Sequence, residues 1–441
     1  MFRLFRPTQS LLLTVFLVLA ATETFAQQNN QASPTPQAFA DEISAQMEAI
    51  RGLEFKKAIS AQNQSLDDFS SYLDANRDLF AGDERLQHYG TVAKKLGLYR
   101  GEDIDDFFGL MKSVMLTQAG AYYNPETGGF YVVMDGLDPL TRGTIYSHEL
   151  YHGLQDQYFD LNKYLLEVIT SLSDDEAMAR QAVVEGEATY AMTLWTFQKM
   201  TGSIPDRTML APAVQMQAGM DMSMLKQMMK AGPASQLLGS SEDMQQALEE
   251  MDKIPTFIME NLIGAYLQGM VFIYQIHAGG WEQVEQLYKE RPPVSMEQIL
   301  HPEKWLSNET PIKFSWPDFK ALSDWQLLDA NNIGEFQWRT IFTEHNIQKL
   351  QAHAAAAGWN GDKYAVLRKN NGDDLLLLLA TSWDSEQDAQ EFEQQYQALL
   401  KVKYPNNEVP SQVQRRSSDV FIVEGDEKAA MAFALKAETA K

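Results

Sequence analysis

Cysteine is absent from this 441-residue chain, which rules out disulfides, thiolate metal ligands and a lipid-anchored cysteine. Basic residues are few: 36 Lys and Arg stand against 60 Asp and Glu, for a formal net charge of −24. That balance argues against nucleic acid or anionic lipid as a partner. Past Ala26 no uninterrupted apolar run approaches the ~18 residues of a membrane span, so no span is expected in the mature chain. Histidine is scarce as well, with seven in all, and two of them fall at His148 and His152.

The apolar run that does occur is at the start. Arg3 and Arg6 precede Leu11 to Ala21, and Thr24-Phe25-Ala26 puts small residues at the −3 and −1 positions of a cleavage site. Residues 1–26 therefore read as a secretory signal peptide, and the expected address is the periplasm of a Gram-negative bacterium or the medium beyond it. Cleavage removes Arg3, Arg6 and Glu23, which moves the net charge from −24 to −25. Residues 27–39 are polar and proline-containing and read as a flexible leader.

His148-Glu149-Leu150-Tyr151-His152 carries the most chemistry. On a helix its two imidazoles lie four residues apart on one face and can share a metal ion. Zinc accepts neutral nitrogen ligands at about 2.0 to 2.1 Å, and a catalytic zinc site keeps one position open for water. Glu149 then stands where a general base is needed to take the proton of that water. The flanks agree. Asn124 to Gly128 reads as a turn, Gly129 to Met134 as a strand, and Leu140 to Tyr158 as the helix that carries the motif. A strand beside such a helix can accept an extended peptide through main-chain hydrogen bonds. Ser173-Asp174-Asp175-Glu176 is a capping box opening a second helix that runs to about Met200.

That second helix holds Glu185-Gly186-Glu187-Ala188, and with the histidine motif it resembles the gluzincin metallopeptidases, in which a glutamate from the next long helix completes an HExxH zinc site. The resemblance implies Glu185 as the third ligand of one zinc ion per chain. The separation from His152, 185 minus 152 or 33 residues, exceeds the short spacer of the aminopeptidase branch, and an extra loop near Asp160 to Ser171 would absorb it. Glu187 lies about 200° further round the helix, so it cannot reach the same ion and reads as solvated or as supporting a ligand. Tyr266-Leu267-Gln268-Gly269 looks like the Y-x-x-G segment that supplies an oxyanion-stabilising tyrosine, which implies that role for Tyr266. Gln268 departs from the lysine usual there, and no segment for capturing a free amino terminus is visible. The runs from His148 to Gln157 and from Pro292 to Trp305 resemble poorly characterised secreted bacterial proteins of this type.

Other residues carry a bland reading beside a sharp one. Asp156 can orient a ligand imidazole or lie exposed at the helix end. His301, before Pro302, is either a substrate-facing donor or structural, and Tyr190 is a second tyrosine to consider if Tyr266 lies far from the metal. Residues 200–259 hold 11 of the 21 methionines. Thioethers suit Cu(I), but an adaptable apolar lid or groove wall over a cleft explains the cluster better.

The expected fold class is α+β: residues 40–120 form an α-rich lead-in with a strand near Leu53 to Ile59, and 121–315 a mainly helical zincin-like catalytic domain with a small edge sheet. Residues 316–441 form a small α+β accessory domain, with strands at Tyr364 to Lys369, Asp374 to Ser382 and Val420 to Glu424 and a helix near Gln387 to Tyr404. The function expected from all this is hydrolysis of peptide or protein substrates by a zinc-activated water. The alternatives are a catalytically silent zinc or peptide-binding module, against which the presence of Glu149 argues, and a zinc amidase acting on cell-wall peptides. Oligomeric state and cleavage specificity are not legible.

Overall fold

Helix α1 (Pro36–Arg51) opens on a Thr35 hydroxyl oxygen that accepts the Ala38 N–H, with Pro36 in the first turn where its missing N–H costs nothing. The computed structural model describes residues 12–13, 35–75, 77, 88–101, 104, 106–118, 120–133, 137–166, 173–220, 224 and 254–440. Strands β1 (Leu12–Leu13), β2 (Ser60–Asn63), β3 (Ala121–Asn124) and β4 (Gly129–Val132) form one sheet in the order β1-β3-β4-β2. β3 and β4 are antiparallel, Tyr122 opposite Tyr131, while β2 runs parallel to β4. β1 falls in the segment read as a signal peptide and pairs with the outer edge of β3, Leu12 opposite Tyr123. The strand expected near 53–59 is thus found at 60–63. Helices α2 (Leu66–Ala75), α3 (Tyr89–Leu96) and α4 (Phe107–Gln118) complete the lead-in, and Phe69, Leu73, Met115 and Tyr122 join two of them to the sheet in a small core of their own.

The motif helix α5 (Pro139–Phe159) starts where Asp138 accepts the Leu140 and Thr141 N–H groups. α6 (Asp174–Thr201) starts where Ser173 accepts the Glu176 N–H, the capping geometry that the sequence signals there. α7 (Ala211–Ala218) leads on to α8 (Thr256–Ile276), which is apolar on nearly all sides and lies along α6. By length and composition α8 and the turn after it are the only described segment that could cross a membrane, but 72% of the relevant window is buried inside the protein, as in a core helix. Short helices α9 (Trp281–Lys289), α10 (Met296–Leu300) and α11 (Pro302–Leu306) follow.

The last third is a five-stranded antiparallel sheet in the order β6-β7-β8-β10-β9, between β5 (Lys313–Ser315), which precedes it in the chain, and a final helix and strand. Its strands are β6 (Trp325–Asn331), β7 (Trp359–Lys369), β8 (Leu375–Trp383), β9 (Ser411–Arg416) and β10 (Asp419–Glu424). Helices α12 (Glu335–Glu344) and α13 (Lys349–Ala356) connect β6 to β7, and α14 (Glu386–Lys403) follows β8. One sheet face, including Tyr364, Val366, Leu377, Leu379 and Ile422, joins the same hydrophobic core as α5, α6 and α8. The opposite face, including Leu367, Leu376, Leu378 and Phe421, closes a second core with α15 (Ala430–Ala434), beside which β11 (Glu438–Ala440) pairs with β5. The fold class is α+β, as the sequence implies.

Candidate metal centre

Tyr123 of β3 fastens the motif helix in place from both ends of the residue. Its N–H donates to Glu149 Oε2 at 2.9 Å, and its hydroxyl donates to Asp156 Oδ2 at 2.9 Å. Asp156 also accepts the Leu161 N–H, so it ties α5 to the sheet and to the next turn and does not orient a histidine. Gly186 in α6 and Gly269 in α8 meet where the two helices cross, close enough that a Cβ on Gly186 would lie 2.6 Å from the Gly269 Cα. This crossing brings Tyr266 against the histidine helix.

Three acceptor atoms converge between α5 and α6. His148 Nε2 lies 3.1 Å from Glu185 Oε2, His152 Nε2 lies 3.4 Å from the same oxygen, and the two Nε2 atoms are 3.0 Å apart. Two ligands bound to zinc at about 2.0 to 2.1 Å and at a tetrahedral angle stand about 3.3 to 3.4 Å apart, so an ion fits this triangle with shifts of a few tenths of an ångström. The donor chemistry agrees with a cation. His152 Nδ1 lies 2.8 Å from Gln155 Oε1, an acceptor, which places the proton on Nδ1 and leaves the Nε2 lone pair facing Glu185 and His148. The two histidines and Glu149 are fully buried and Glu185 is 1% exposed. Burial pushes the His148 pKa down to about 4, against the hydrogen bond to Glu185, so the imidazole is neutral and ready to ligate at neutral pH. Burial alone would raise Glu185, but His152 and His148 outweigh it and hold the carboxyl down at about 2.

The two imidazoles are steadied by different means. His152 has Gln155, whereas His148 Nδ1 has no hydrogen-bond partner among the described residues and its ring stacks on Tyr266, centroids 5.6 Å apart at 23°. Tyr266 thus packs against the ring of one of the two histidines. Tyr190 instead meets His277 Nδ1 at 3.0 Å and packs near Trp281. His301 Nε2 bonds the fully buried Glu335 of α12 at 3.0 Å, a brace between the end of α10 and α12. Glu187 is not solvated but completely buried. It accepts from Tyr151, Tyr288, Gln155 and Arg51, the last a 3.0 Å ion pair. Gln155 and Arg51 escaped the sequence reading. Gln155 sits three residues past His152, a spacing that could have flagged it, but nothing in the sequence connects Arg51 to residue 187.

A second group of carboxylates, Glu297, Glu309 and Asp384, also lies close enough to hold an ion. The Lys304 ammonium already occupies its centre, 2.7 Å from each. Of the methionine-rich insertion, residues 221–223 and 225–253 lie outside the described residues, and with them Met222, Met228 and Met229. Met216 and Met224 are exposed and Met220 is buried.

Residues 326–440 match a family described only as a domain of unknown function, DUF8575. No curated protein and no solved structure matches the chain.

Proposed function

We propose that the chain is an exported zinc-dependent metallopeptidase of gluzincin type, with one zinc ion held by His148, His152 and Glu185. The observation that carries this reading is the triangle of acceptor atoms with edges of 3.0, 3.1 and 3.4 Å, two of them on the helix that also carries Glu149 and the third on α6. Zinc bound there supplies Lewis acidity to a water and to the carbonyl of the scissile bond. Glu149 takes the proton as the water oxygen adds to the carbonyl carbon, and returns it to the amide nitrogen as the C–N bond breaks. Its carboxylate is held by the Tyr123 N–H of β3, which fixes the base against the sheet; β3 and β4 are each paired on both sides, so neither is the open edge for a peptide that the sequence suggests. Tyr266, stacked over His148, donates from its hydroxyl to the oxygen that gains charge.

The test is metal content and peptide hydrolysis measured together. One equivalent of zinc is expected, lost in His148→Ala. Glu149→Gln should keep the zinc and lose about 10²- to 10⁴-fold in rate. Zinc-free protein, or a Glu149→Gln variant that turns over a peptide library at the parent rate, refutes the proposal, and zinc without turnover in either form favours a binding module.

A further inference from the structure

Behind His152, on the side away from the three converging atoms, lies a polar cluster that no part of the hydrolysis needs. Gln155 is 1% exposed and makes its hydrogen bonds inside the protein. Its Oε1 faces His152 Nδ1 at 2.8 Å. Its Nε2 has two hydrogens and three acceptors within reach: Val184 O at 3.0 Å, Glu187 Oε2 at 3.0 Å and the Tyr288 oxygen at 2.8 Å. A side-chain amide can turn over and exchange its oxygen with its nitrogen, and the surrounding acceptors decide which way it points. Here Val184 O and the Glu187 carboxylate can only accept, and Tyr288 already gives its proton to Glu187, so the reversed amide would set its oxygen against three lone pairs. Reversal would also aim N–H at His152 Nδ1, move the imidazole proton to Nε2 and abolish the lone pair a metal needs.

We propose that Gln155 is a positioning residue that fixes the tautomer and tilt of His152, and that Glu187, paired with Arg51, fixes Gln155. The inference rests on the metal site proposed above. Glu187 itself is held by Tyr151 at 2.8 Å, Tyr288 at 2.6 Å and Arg51 at 3.0 Å, so its oxygens have no freedom to follow a turning amide. The two glutamates of Glu185-Gly186-Glu187 therefore serve one imidazole from opposite sides, Glu185 at Nε2 and Glu187 through an amide at Nδ1. The chain from Arg51 through Glu187 and Gln155 to His152 makes α1 part of the support of the site.

The experiment strips the full-length mature protein with a chelator and measures zinc affinity by competition, with the visible spectrum of the cobalt form as a second readout. Gln155→Met should lose about 10- to 100-fold in zinc affinity, the usual effect of removing the hydrogen-bond partner of a ligand histidine, and should shift the cobalt bands. Gln155→Asn, which keeps the amide but withdraws it by one methylene, carries the same expectation should methionine not fold. Glu187→Gln, which keeps Gln155 but removes the carboxylate that holds its amide in one orientation, should lower the affinity and shift the cobalt bands in the same sense. A folded Gln155→Met or Gln155→Asn that binds zinc as tightly as the parent overturns the inference, as does a folded Glu187→Gln with the parent affinity and spectrum. A parent protein that takes up no zinc sinks the peptidase reading and this inference with it, whereas tight zinc in both parent and Gln155→Met sinks this inference alone.

Discussion

Replacing Gly186 by alanine should destabilise the protein, although in an ordinary helix the same change stabilises it. An interior glycine costs a helix about 0.5 to 1 kcal/mol relative to alanine, so a Gly186 with room around it would gain that much. Its Cβ, however, would stand 2.5 Å from the Gly269 carbonyl oxygen and closer still to the carbonyl carbon. Ordinary contact begins near 3.4 Å and the carbonyl carbon would stand at 2.2 Å, so α6 and α8 would have to part by at least 3.4 minus 2.2, or 1.2 Å. The obstacle is backbone and cannot rotate away. Overpacking of this kind typically costs about 1 to 3 kcal/mol, and after the helical gain a net loss of roughly 1 to 2 kcal/mol remains. Gly269→Ala meets the Ala182 carbonyl in the same way, and the double variant should lose less than the sum because one separation relieves both contacts. Gly153→Ala, whose Cβ first meets the tip of the Ile59 side chain, should cost less. Urea midpoints of the metal-free variants give the comparison, and the zinc that each variant takes up on reconstitution reports on Glu185, next to Gly186. A midpoint that rises in Gly186→Ala would refute the close crossing and with it the placement of Tyr266 against His148.

Tyr266→Phe keeps the ring on His148 and removes only the hydroxyl, so zinc content should hold while kcat falls about 10²- to 10³-fold, as when an oxyanion donor is lost. Parent-like kcat would end that role. The His301–Glu335 brace should respond to pH. The hydrogen bond to Glu335 raises the His301 pKa above 6.5 against burial, so its contribution is full below 6.5 and fades as pH rises past the raised value. Glu335, although burial opposes it, is held below 4.5 by His301 and Arg339, so its share is present above 4.5 and fades as pH falls through the lowered value. The melting temperature of His301→Gln should thus fall furthest below the parent at about pH 5.5 and converge with it by about pH 9, and a gap that widens with alkali would contradict this. Lys304→Met should lower stability by leaving three carboxylates without their cation and should leave zinc at one per chain, whereas a second equivalent of bound metal in the parent would show the acidic cluster to be a site after all.

What could be read ahead of the structure followed local rules. The capping box at Ser173, the helix through His148 and the strand at 129–132 each depend on a few neighbouring residues, and each is where the sequence puts it. β2 was misplaced because Ser60-Ala61-Gln62-Asn63 is a polar edge strand held by a parallel partner far along the chain, with no apolar alternation to announce it. β6 escaped because a register shift between Leu327 and Asp329 breaks the two-residue rhythm. β8 was legible as a strand from Asp374 to Ser382, but its unbroken leucine run cannot say that both of its faces are covered. His301 and Asp156 carry polar chemistry in suggestive places, and their actual partners, Glu335 and Tyr123, come from other elements.

The charges around the centre explain why distant residues are needed to build it. Glu149 and Glu185 are both fully enclosed, and a divalent cation between the histidines would balance the two carboxylates locally. A third carboxylate placed directly on His152 would leave that inner group with a net negative charge in a water-free interior, which costs several kcal/mol per unpaired ion. Gln155 avoids this by presenting a neutral oxygen to His152, and the carboxylate that steers it, Glu187, carries its own counter-ion in Arg51. Each group would then be neutral by itself, the inner with a cation in place and the outer through an arginine from the first helix. Only the inner one has local spacing in the sequence. The outer one links residues 136 positions apart and so leaves no motif to read.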